Sequence, residues 1–202
     1  VITYGTKEAD VVGNVSQSDP FLEVRFTKGL NTTIKTSLVG TYNLPNVLAA
    51  VAVGKTFGVE DEKIRSSIEA YKPSNSRSQL VNKGGNKIIL DAYNANPSSM
   101  KAAIDNFARA EGSNKILVLG AMAELGADSL QEHSSIIEEI RHHQWNAVIL
   151  VGGDFVRSNH NFQSFNKPEE AGEWLQKANI QDAFLLVKGS RSMQMEKVLN
   201  YL

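Results

Sequence analysis

The sequence contains no cysteine, and this absence excludes several kinds of site. Disulfide bonds, thiolate metal sites and a cysteine nucleophile all require a thiol. A chain without thiols fits a reducing compartment, and we expect the protein to be cytoplasmic.

An excess of charge of one sign and long apolar runs are also missing. The 21 basic and 22 acidic residues leave a formal net charge of −1, so no broad electric field attracts nucleic acid or anionic lipid. No apolar run approaches the ~18 residues of a membrane span. We therefore expect neither a nucleic-acid partner nor a membrane partner, and any binding must be local.

The chain begins at Val1, without an initiator methionine or a signal-peptide pattern. We interpret this start as a cut inside a longer protein. The 202 residues, of which 42% are hydrophobic, are enough to bury a sizeable core.

The first part of the chain changes from a strand pattern to a helix pattern. Apolar residues alternate with polar ones in residues 1–39, which predicts antiparallel strands without a full core of their own. From Asn43, a good capping residue, apolar residues recur at helical spacing up to Gly58, and a second helix is predicted from Asp61 to Tyr71. The segment Lys72–Ser76 is the best linker candidate. We place a domain boundary there, with one domain in residues 1–74 and another in residues 75–202.

After this linker, short apolar strands alternate with amphipathic helices. Helices are predicted to begin at Asn96–Pro97, at Asp128 with a capping box to Gln131, and at Pro168, and a last helix is predicted over Met195–Leu202. The predicted strands are Gln79–Asn82, Lys87–Leu90, Ile116–Leu119, Ala147–Val151 and Ala183–Val187. This alternation predicts an α/β fold, a Rossmann-like and mostly parallel sheet with helices on both faces.

Polar residues follow these strands. Because parallel strands end along one edge of a sheet, where ligands bind, the residues that follow them should meet in space. The turn Lys188–Arg191 combines two cations, a hydroxyl and the N–H groups of a helix start, which suits a carboxylate or a phosphate. The four segments are Asp91–Asn96, Ala121–Glu124, Gly152–Asp154 and Lys188–Arg191.

Three sequence features resemble functional motifs but do not meet the requirements of those motifs. Gly54-Lys55-Thr56 resembles the end of a phosphate loop, but the required glycine is Ala49 and the segment lies within a predicted helix. The histidines lack metal-ligand spacing, so we predict no metal site. Ser190 has no evident histidine and acid partners for a hydrolytic triad.

Five motifs follow one another along the whole chain. They are Gly40-Thr41-Tyr42-Asn43-Leu44-Pro45-Asn46, the turn Asn75-Ser76-Arg77, Asp91-Ala92-Tyr93-Asn94-Ala95-Asn96-Pro97, Met122-Ala123-Glu124-Leu125-Gly126 and Lys188-Gly189-Ser190-Arg191-Ser192. Together, and in this order, they resemble the Mur ligase family. The last three motifs are specific to the branch that adds D-alanyl-D-alanine to a UDP-linked muramoyl tripeptide. The resemblance implies that residues 1–74 are the α+β tail of a truncated central ATPase domain and that residues 75–202 are the C-terminal domain.

The resemblance also implies the activity. Family members use ATP and Mg²⁺ to phosphorylate a substrate carboxylate, and an amine then attacks the acyl phosphate. The implied partners are ATP, D-alanyl-D-alanine and the UDP-linked muramoyl tripeptide. The metal ligands and the phosphate loop of the family lie outside this sequence, so we expect no catalytic residue here and no activity from the chain alone.

Residue by residue, the resemblance assigns a nucleotide side and an acceptor side. Asn46, helped by Asn43, is similar to the adenine contact, Arg77 to the cation that reaches the ATP phosphates, and Asp91 to the acid that orients the ribose or nucleotide. Amides can read a purine edge, guanidinium pairs with phosphate, and carboxylate accepts from sugar hydroxyls. The acceptor side would be lined by Asn94, Asn96, Glu124, Lys188, Ser190 and Arg191.

Two departures and two alternatives accompany this interpretation. Relatives usually have Asp where this chain has Ala121. They often have Gly-Arg where this chain has Ser76-Arg77, so the sequence does not fix the backbone conformation of that turn. A folylpolyglutamate-type amino-acid ligase would share the fold. A non-catalytic α/β binding module would keep the shape without the chemistry.

Overall fold

The computed structural model covers residues 1–202, which form two units, Val1–Pro73 and Ser74–Leu202. Each unit has its own sheet, of four strands in the first and six in the second.

The first unit is a small sheet followed by two helices. The strands lie in the order β1-β2-β3-β4; β1 runs parallel to β2, and the other pairs are antiparallel. A 3₁₀ turn, Thr41–Asn43, precedes the first helix. The elements are β1 Tyr4–Gly5, β2 Val11–Gln17, β3 Glu23–Lys28, β4 Thr33–Lys35, α1 Leu44–Thr56 and α2 Asp61–Ala70.

The strands of the first unit share a core with its helices. Val24 and Phe26 of β3 are buried against Leu48 and Val51 of α1 and Ile64 of α2. The strand pattern of residues 1–39 predicted no full core because the helices that complete it come later in the chain. The segment Gly54-Lys55-Thr56, which resembles the end of a phosphate loop, lies within α1, as its helical pattern predicted.

The second unit has a mostly parallel sheet. Its order is β5-β6-β10-β7-β8-β9, with β5 antiparallel to β6 and all other neighbours parallel. The strands are β5 Gln79–Lys83, β6 Asn86–Asp91, β7 Lys115–Gly120, β8 Ala147–Val151, β9 Gln163–Phe165 and β10 Phe184–Lys188. Because β10 lies between β6 and β7, the last strand in sequence occupies the middle of the sheet.

Helices cover both faces of this sheet, which confirms the predicted α/β class. On one face, Ala171 and Leu175 pack with Met195 and Val198 over the strands. On the other face, the Phe107 ring lies edge-on to Phe184, with 4.8 Å between ring centroids. The helices are α3 Pro97–Arg109, α4 Ser129–Arg141, α5 Gly153–Arg157 and α6 Pro168–Lys177, with 3₁₀ segments at Gly126–Asp128, Arg191–Met193 and Met195–Tyr201.

Several local predictions need correction. Asp128 makes no side-chain cap, because the 3₁₀ turn that ends there places it in a helical conformation. The predicted last helix is a 3₁₀ segment. Asn43 occupies the cap position of α1, but its side chain does not bond to the helix N–H groups. The short elements β9 and α5 were not predicted.

No helix has both the length and the apolar character needed to cross a membrane.

Candidate functional site

The carboxyl ends of the parallel strands bring Asp91 and Lys188 together. These residues are register partners at the ends of β6 and β10, and the Lys188 ammonium nitrogen lies 2.5 Å from Asp91 Oδ2. The same ammonium donates to the Asn94 carbonyl at 3.2 Å. Only 2% of the Lys188 side chain is exposed. A buried ammonium needs such partners because water no longer solvates it.

Asp91 also holds the turn that contains Arg77. Its other oxygen, Oδ1, accepts from the Ser78 backbone N–H at 3.0 Å and from the Ser78 hydroxyl at 3.4 Å. The Ala92 N–H donates to the Ser76 carbonyl at 2.8 Å, and the Ser76 N–H donates to Gln79 Oε1 at 2.8 Å. Both serines that flank Arg77 are therefore buried and bonded to the edge of the sheet.

The backbone of this turn is left-handed at three residues other than glycine. The φ angles are +57° at Asn75, +58° at Ser76 and +47° at Ser78. The observed φ at Ser76 is of the kind that glycine adopts without penalty. Ser76 holds the same conformation in this chain through the hydrogen bonds of its N–H and carbonyl.

The Arg77 side chain is exposed between these two buried serines. Its guanidinium carbon lies 3.6 Å from the centroid of the Tyr93 ring, and Tyr93 is 41% exposed. A guanidinium over a ring face keeps N–H donors around its own edge. Arg77 is therefore positioned at the carboxyl edge of the sheet with donors available for an anion.

The Lys188–Arg191 turn divides into buried and exposed residues. Ser190 is 2% exposed, and its hydroxyl donates to the Ala121 carbonyl at 2.8 Å, which joins the loops after β10 and β7. Arg191 is exposed, and its guanidinium lies 2.7 Å from Glu196 Oε1. Of the two predicted cations, only Arg191 faces solvent.

The loop after β7 is held by a histidine that no sequence pattern indicated. The Met122 N–H donates to His133 Nε2 at 3.0 Å, and His133 Nδ1 lies 2.7 Å from the Ser129 carbonyl. These two contacts assign the neutral ring with its proton on Nδ1. His133 is 1% exposed and packs edge-on against Phe155. No spacing signal could have found it, because its partner is a backbone N–H.

The loop after β7 also contains Ala121, which is buried, and Glu124, which is exposed. Ala121 is 5% exposed, and a Cβ built on Gly153 would lie 2.6 Å from the Ala121 Cβ. The loops after β7 and β8 therefore approach closely here. Glu124, by contrast, is exposed in a left-handed conformation with φ of +63°.

Asp154, at the start of α5, is an acidic group of the same edge. A hydrogen bond from the Ser129 side chain, assisted by the positive charge of Arg157, holds the pKa of Asp154 below its usual range.

The asparagines after β6 have mainly local partners. Asn94 Oδ1 accepts from the Ala95 N–H at 2.9 Å. Asn96 caps α3: its Oδ1 accepts from the Ser99 N–H at 2.8 Å, and its own N–H donates to the Ser99 hydroxyl at 3.1 Å. Both asparagines are exposed, so they also face solvent at the carboxyl edge.

In the first unit, Asn43 orients Asn46. The Asn43 amide nitrogen donates to the Val39 carbonyl at 2.9 Å, and its Oδ1 accepts from the Asn46 amide at 3.0 Å. Asn43 is buried, whereas Asn46 is exposed at the start of α1. The hydrogen bond with Asn43 therefore orients the side-chain amide of an exposed residue.

A further ionisable cluster lies away from this edge. His143 Nε2 is 3.2 Å from Asp105 Oδ1 and 3.8 Å from Glu139 Oε1, and Lys101 pairs with Glu139. Asp105 and Glu139 lie near the C-terminal ends of α3 and α4, and His143 precedes β8. Those positions place the cluster at the amino edge of the sheet. No sequence pattern indicated it, because the groups come from two separate helices.

Comparison with known proteins identifies the family. The model of the Mur ligase glutamate ligase domain matches residues 76–191. The chain belongs to the Mur ligase family. This confirms the resemblance drawn from the motifs, and the matched segment includes Arg77, Asp91, Lys188 and Arg191.

Two curated relatives carry the name UDP-N-acetylmuramoyl-tripeptide–D-alanyl-D-alanine ligase. The Bacillus subtilis protein is 32% identical over 216 residues, covering 99% of this chain and 46% of that protein. The Treponema pallidum protein is 32% identical over 174 residues, covering 82% of this chain and 38% of that protein. The chain thus spans less than half the length of each of these Mur ligases.

Solved structures agree with the fold. A crystal structure of MurF from Acinetobacter baumannii has a TM-score of 0.84 and 25% identity, covering 98% of this chain and 46% of that one. MurF ligase from Thermotoga maritima, solved in complex with ADP, has a TM-score of 0.81 and 24% identity, covering 99% of this chain and 47% of that one. A folylpolyglutamate synthase from Thermotoga maritima shares the fold at 16% identity with a TM-score of 0.61, over 95% of this chain and 47% of that one.

Proposed function

We propose that this chain is the C-terminal part of an ATP-dependent ligase that adds D-alanyl-D-alanine to a UDP-linked muramoyl tripeptide. The observation that carries the proposal is the exposed Arg77 guanidinium, fixed at the carboxyl edge of a Mur ligase sheet between two buried serines. The names of the relatives from Bacillus subtilis and Treponema pallidum support the choice of acceptor and carboxylate substrate. Because ATP and a nucleotide-linked precursor are its substrates, the proposed reaction takes place in the cytoplasm.

In this proposal, the first unit is the C-terminal part of the central ATP-binding domain, and the second unit is the Mur ligase C-terminal domain. The alignment with the Bacillus subtilis relative supports it, since it covers 99% of this chain but 46% of the relative. A phosphate loop is absent from this sequence. The proposal therefore expects no catalysis by the 202-residue chain alone.

Each unit is assigned nucleotide contacts of its own. In the first unit, the exposed amide of Asn46, oriented by Asn43, can read an adenine edge. In the second unit, Arg77 can pair with the phosphates of ATP. The resemblance assigned Asp91 to the ribose or nucleotide, but its two carboxylate oxygens already accept from Lys188 and Ser78. In this proposal, Asp91 therefore acts on the nucleotide through the Arg77 turn that it holds. The ADP bound in the Thermotoga maritima relative supports a nucleotide site in this family.

The acceptor side would use the solvent-facing groups of the same edge. Arg191 supplies the positive charge for the terminal carboxylate of the dipeptide, and Asn94, Asn96 and Glu124 offer polar contacts. Ser190 is buried, and we propose that it contributes by tying the loop after β10 to the loop after β7.

The proposed reaction has two steps. A carboxylate oxygen of the tripeptide attacks the γ-phosphorus of ATP, which forms an acyl phosphate and releases ADP. The amine of D-alanyl-D-alanine then attacks the acyl carbon, and phosphate leaves as the amide forms. In the first step, Arg77 would balance the negative charge that develops on the transferred phosphoryl group.

The Mg²⁺ that the family uses does not fit the residues of this chain. The Asp91 carboxylate at the carboxyl edge already accepts from Ser78 and Lys188. The cluster of Asp105, Glu139 and His143 lies at the opposite edge of the sheet. We therefore assign no metal ligand here and derive no step through the metal.

The test is a comparison of Arg77→Ala with Arg109→Ala in the full-length ligase. Loss of a charge-assisted contact costs about 1.5 to 3 kcal/mol, or roughly ten- to a hundredfold in apparent ATP affinity. Arg109, exposed in the last turn of α3, is the control and should leave both Michaelis constants unchanged. An Arg77→Ala enzyme with an unaltered Michaelis constant for ATP would refute the nucleotide assignment.

A further inference from the structure

We propose that Lys188 is a positioning residue, which fixes the Arg77 turn through Asp91 and binds no substrate itself. The resemblance placed Lys188 on the acceptor side. In the structure, that ammonium is buried and already bonded to one carboxylate and one carbonyl. This inference rests on the proposed function, because a displaced Arg77 affects the reaction only if Arg77 binds ATP.

Lys188 and Asp91 act as one unit. They are partners in the register of neighbouring parallel strands, at the centre of the sheet. An ammonium with 2% exposure and no carboxylate partner would be strongly disfavoured, and so would a largely buried carboxylate that lost its ammonium. The pair therefore fixes where the Asp91 carboxylate points.

Asp91 divides its two oxygens between the lysine and the turn. Oδ2 accepts from Lys188, and Oδ1 accepts twice from Ser78, through its backbone N–H and its hydroxyl. A rotation of the carboxylate that lost Lys188 would also displace Oδ1. The orientation of the carboxylate is thus transmitted to the backbone next to Arg77.

The turn itself needs external support. Left-handed φ angles at Asn75, Ser76 and Ser78 are unfavourable for residues with a Cβ, and they persist only where surrounding contacts over-determine them. Two hydrogen bonds support the turn here. The Ser78 N–H donates to Asp91 Oδ1, and the Ala92 N–H donates to the Ser76 carbonyl. Without the Asp91 contact, the backbone at Ser78 should relax, and Arg77 should leave its place over Tyr93.

Hydrogen exchange tests the structural half of the inference in the 202-residue chain. In Lys188→Met, we expect the Ser78 amide to exchange at least tenfold faster, while the amides of Leu185–Val187 in β10 keep their protection. Lys87→Met is the matched control: this lysine lies on β6, over the Phe184 ring and away from Asp91. Unchanged exchange at Ser78 in Lys188→Met would overturn the inference.

Kinetics of the full-length ligase test the functional half. Lys188→Met should reproduce the effect of Arg77→Ala, a rise of about ten- to a hundredfold in the Michaelis constant for ATP with little change for D-alanyl-D-alanine. The double variant should be no worse than Arg77→Ala alone, because both changes remove the same contact. A rise confined to the dipeptide constant would show direct acceptor binding, and additive losses would show independent roles. Either result refutes positioning.

Two outcomes separate this inference from the proposed function. If Arg77→Ala leaves ATP use intact while Lys188→Met still releases Ser78, the proposed function fails and the positioning stands. If Lys188→Met does not fold, the pair Lys188→Met with Asp91→Asn removes both charges and keeps an amide oxygen for Ser78. That double variant should fold, and its Ser78 amide should exchange faster than in Asp91→Asn alone, where Lys188 can still donate to the amide oxygen of residue 91. Equal exchange in the two would overturn the inference.

Discussion

At the scale of single residues, Asn96 links the carboxyl edge of the sheet to the start of α3. Its side chain accepts the Ser99 N–H, and the Ser99 hydroxyl accepts the N–H of Asn96 in return. Asn96→Ala removes the cap and should lower the free energy of unfolding by about 1 kcal/mol. Thermal or urea unfolding of the chain measures this.

The matched control for this prediction is Asn96→Asp. A carboxylate also accepts from the Ser99 N–H and interacts favourably with the helix dipole, so Asn96→Asp should stay within about 0.5 kcal/mol of the parent chain. Equal destabilisation by both changes would mean that the amide nitrogen, and not the cap, carries the stability.

The capping asparagine and the buried lysine show what local sequence reveals about residues. The cap at Asn96 could be predicted because its partner is three positions away, with Pro97 marking the first helical turn. The Lys188 to Asp91 pair spans 97 positions and depends on β10 inserting beside β6. No periodicity contains that strand order, so the resemblance could place Lys188 on the acceptor side but could not show that its ammonium is buried against Asp91.

At the scale of elements, α6 contacts the last 3₁₀ segment, Met195–Tyr201, at a glycine. A Cβ on Gly172 would lie 2.3 Å from Cδ2 of the Tyr201 ring. In an ordinary helix interior, Gly→Ala stabilises by roughly 1 kcal/mol. Here we expect Gly172→Ala to destabilise by about 1 to 2 kcal/mol, because overpacking outweighs the helix gain.

A double-mutant cycle checks the cause. In a Tyr201→Ala background the ring is gone, and Gly172→Ala should become stabilising, by up to about 1 kcal/mol. Urea unfolding of the four chains gives the two differences. The same sign in both backgrounds would contradict a steric origin.

The same two elements are joined by an ion pair with a defined pH dependence. The Lys197 ammonium lies 2.8 Å from Glu169 Oε1, and its hydrogen bond lowers the pKa of Glu169 in the folded chain. A lowered carboxyl pKa stabilises the fold above the unfolded pKa of about 4.3, and this stabilisation disappears as the pH falls through the folded pKa.

Substitution of Glu169 should therefore flatten the acid limb of the stability curve. We expect Glu169→Gln to lose less stability than the parent chain between about pH 6 and pH 3, as measured by urea unfolding at a series of pH values. Glu173→Gln, on the exposed face of the same helix, is the control and should follow the parent curve. Parallel curves for Glu169→Gln and the parent would contradict the prediction.

Elements differed in how well their sequences predicted them. The long apolar strands β7 and β8 and the amphipathic helix α3 were predicted because their periodicity extends over whole elements. The edge strand Gln163–Phe165 has two exposed polar residues and one aromatic residue, which is too short and too polar to show a strand pattern. Its pairing with β8 comes from the tertiary structure.

At the scale of the whole molecule, the second unit has a buried core of its own, and we expect it to fold alone. Ile88, Val118, Ile149 and Leu185 from four strands share one buried cluster, and no residue of that cluster lies before Ser74. We expect limited proteolysis to cut first near Lys72–Ser76 and to leave a stable fragment. Early cuts throughout residues 100–190 would contradict this.

The 202-residue chain should neither hydrolyse ATP nor form the amide bond by itself. Phosphoryl transfer needs a cradle of backbone N–H groups, a lysine and a bound Mg²⁺ to neutralise the moving charge. The sequence has no Gly-x-x-x-x-Gly-Lys-[Ser/Thr], and Gly54-Lys55-Thr56 is fixed within α1. The nucleotide contacts proposed for Arg77 could not replace that cradle.

The measurement is phosphate release and product mass after incubation with ATP, Mg²⁺, the UDP-linked tripeptide and D-alanyl-D-alanine. The full-length ligase is the positive control, and the Arg77→Ala chain identifies contaminating ATPases, whose activity does not depend on Arg77. Turnover that is present in the chain and lost in Arg77→Ala would show that the second unit contributes more than nucleotide orientation, because the missing cradle would then not be required.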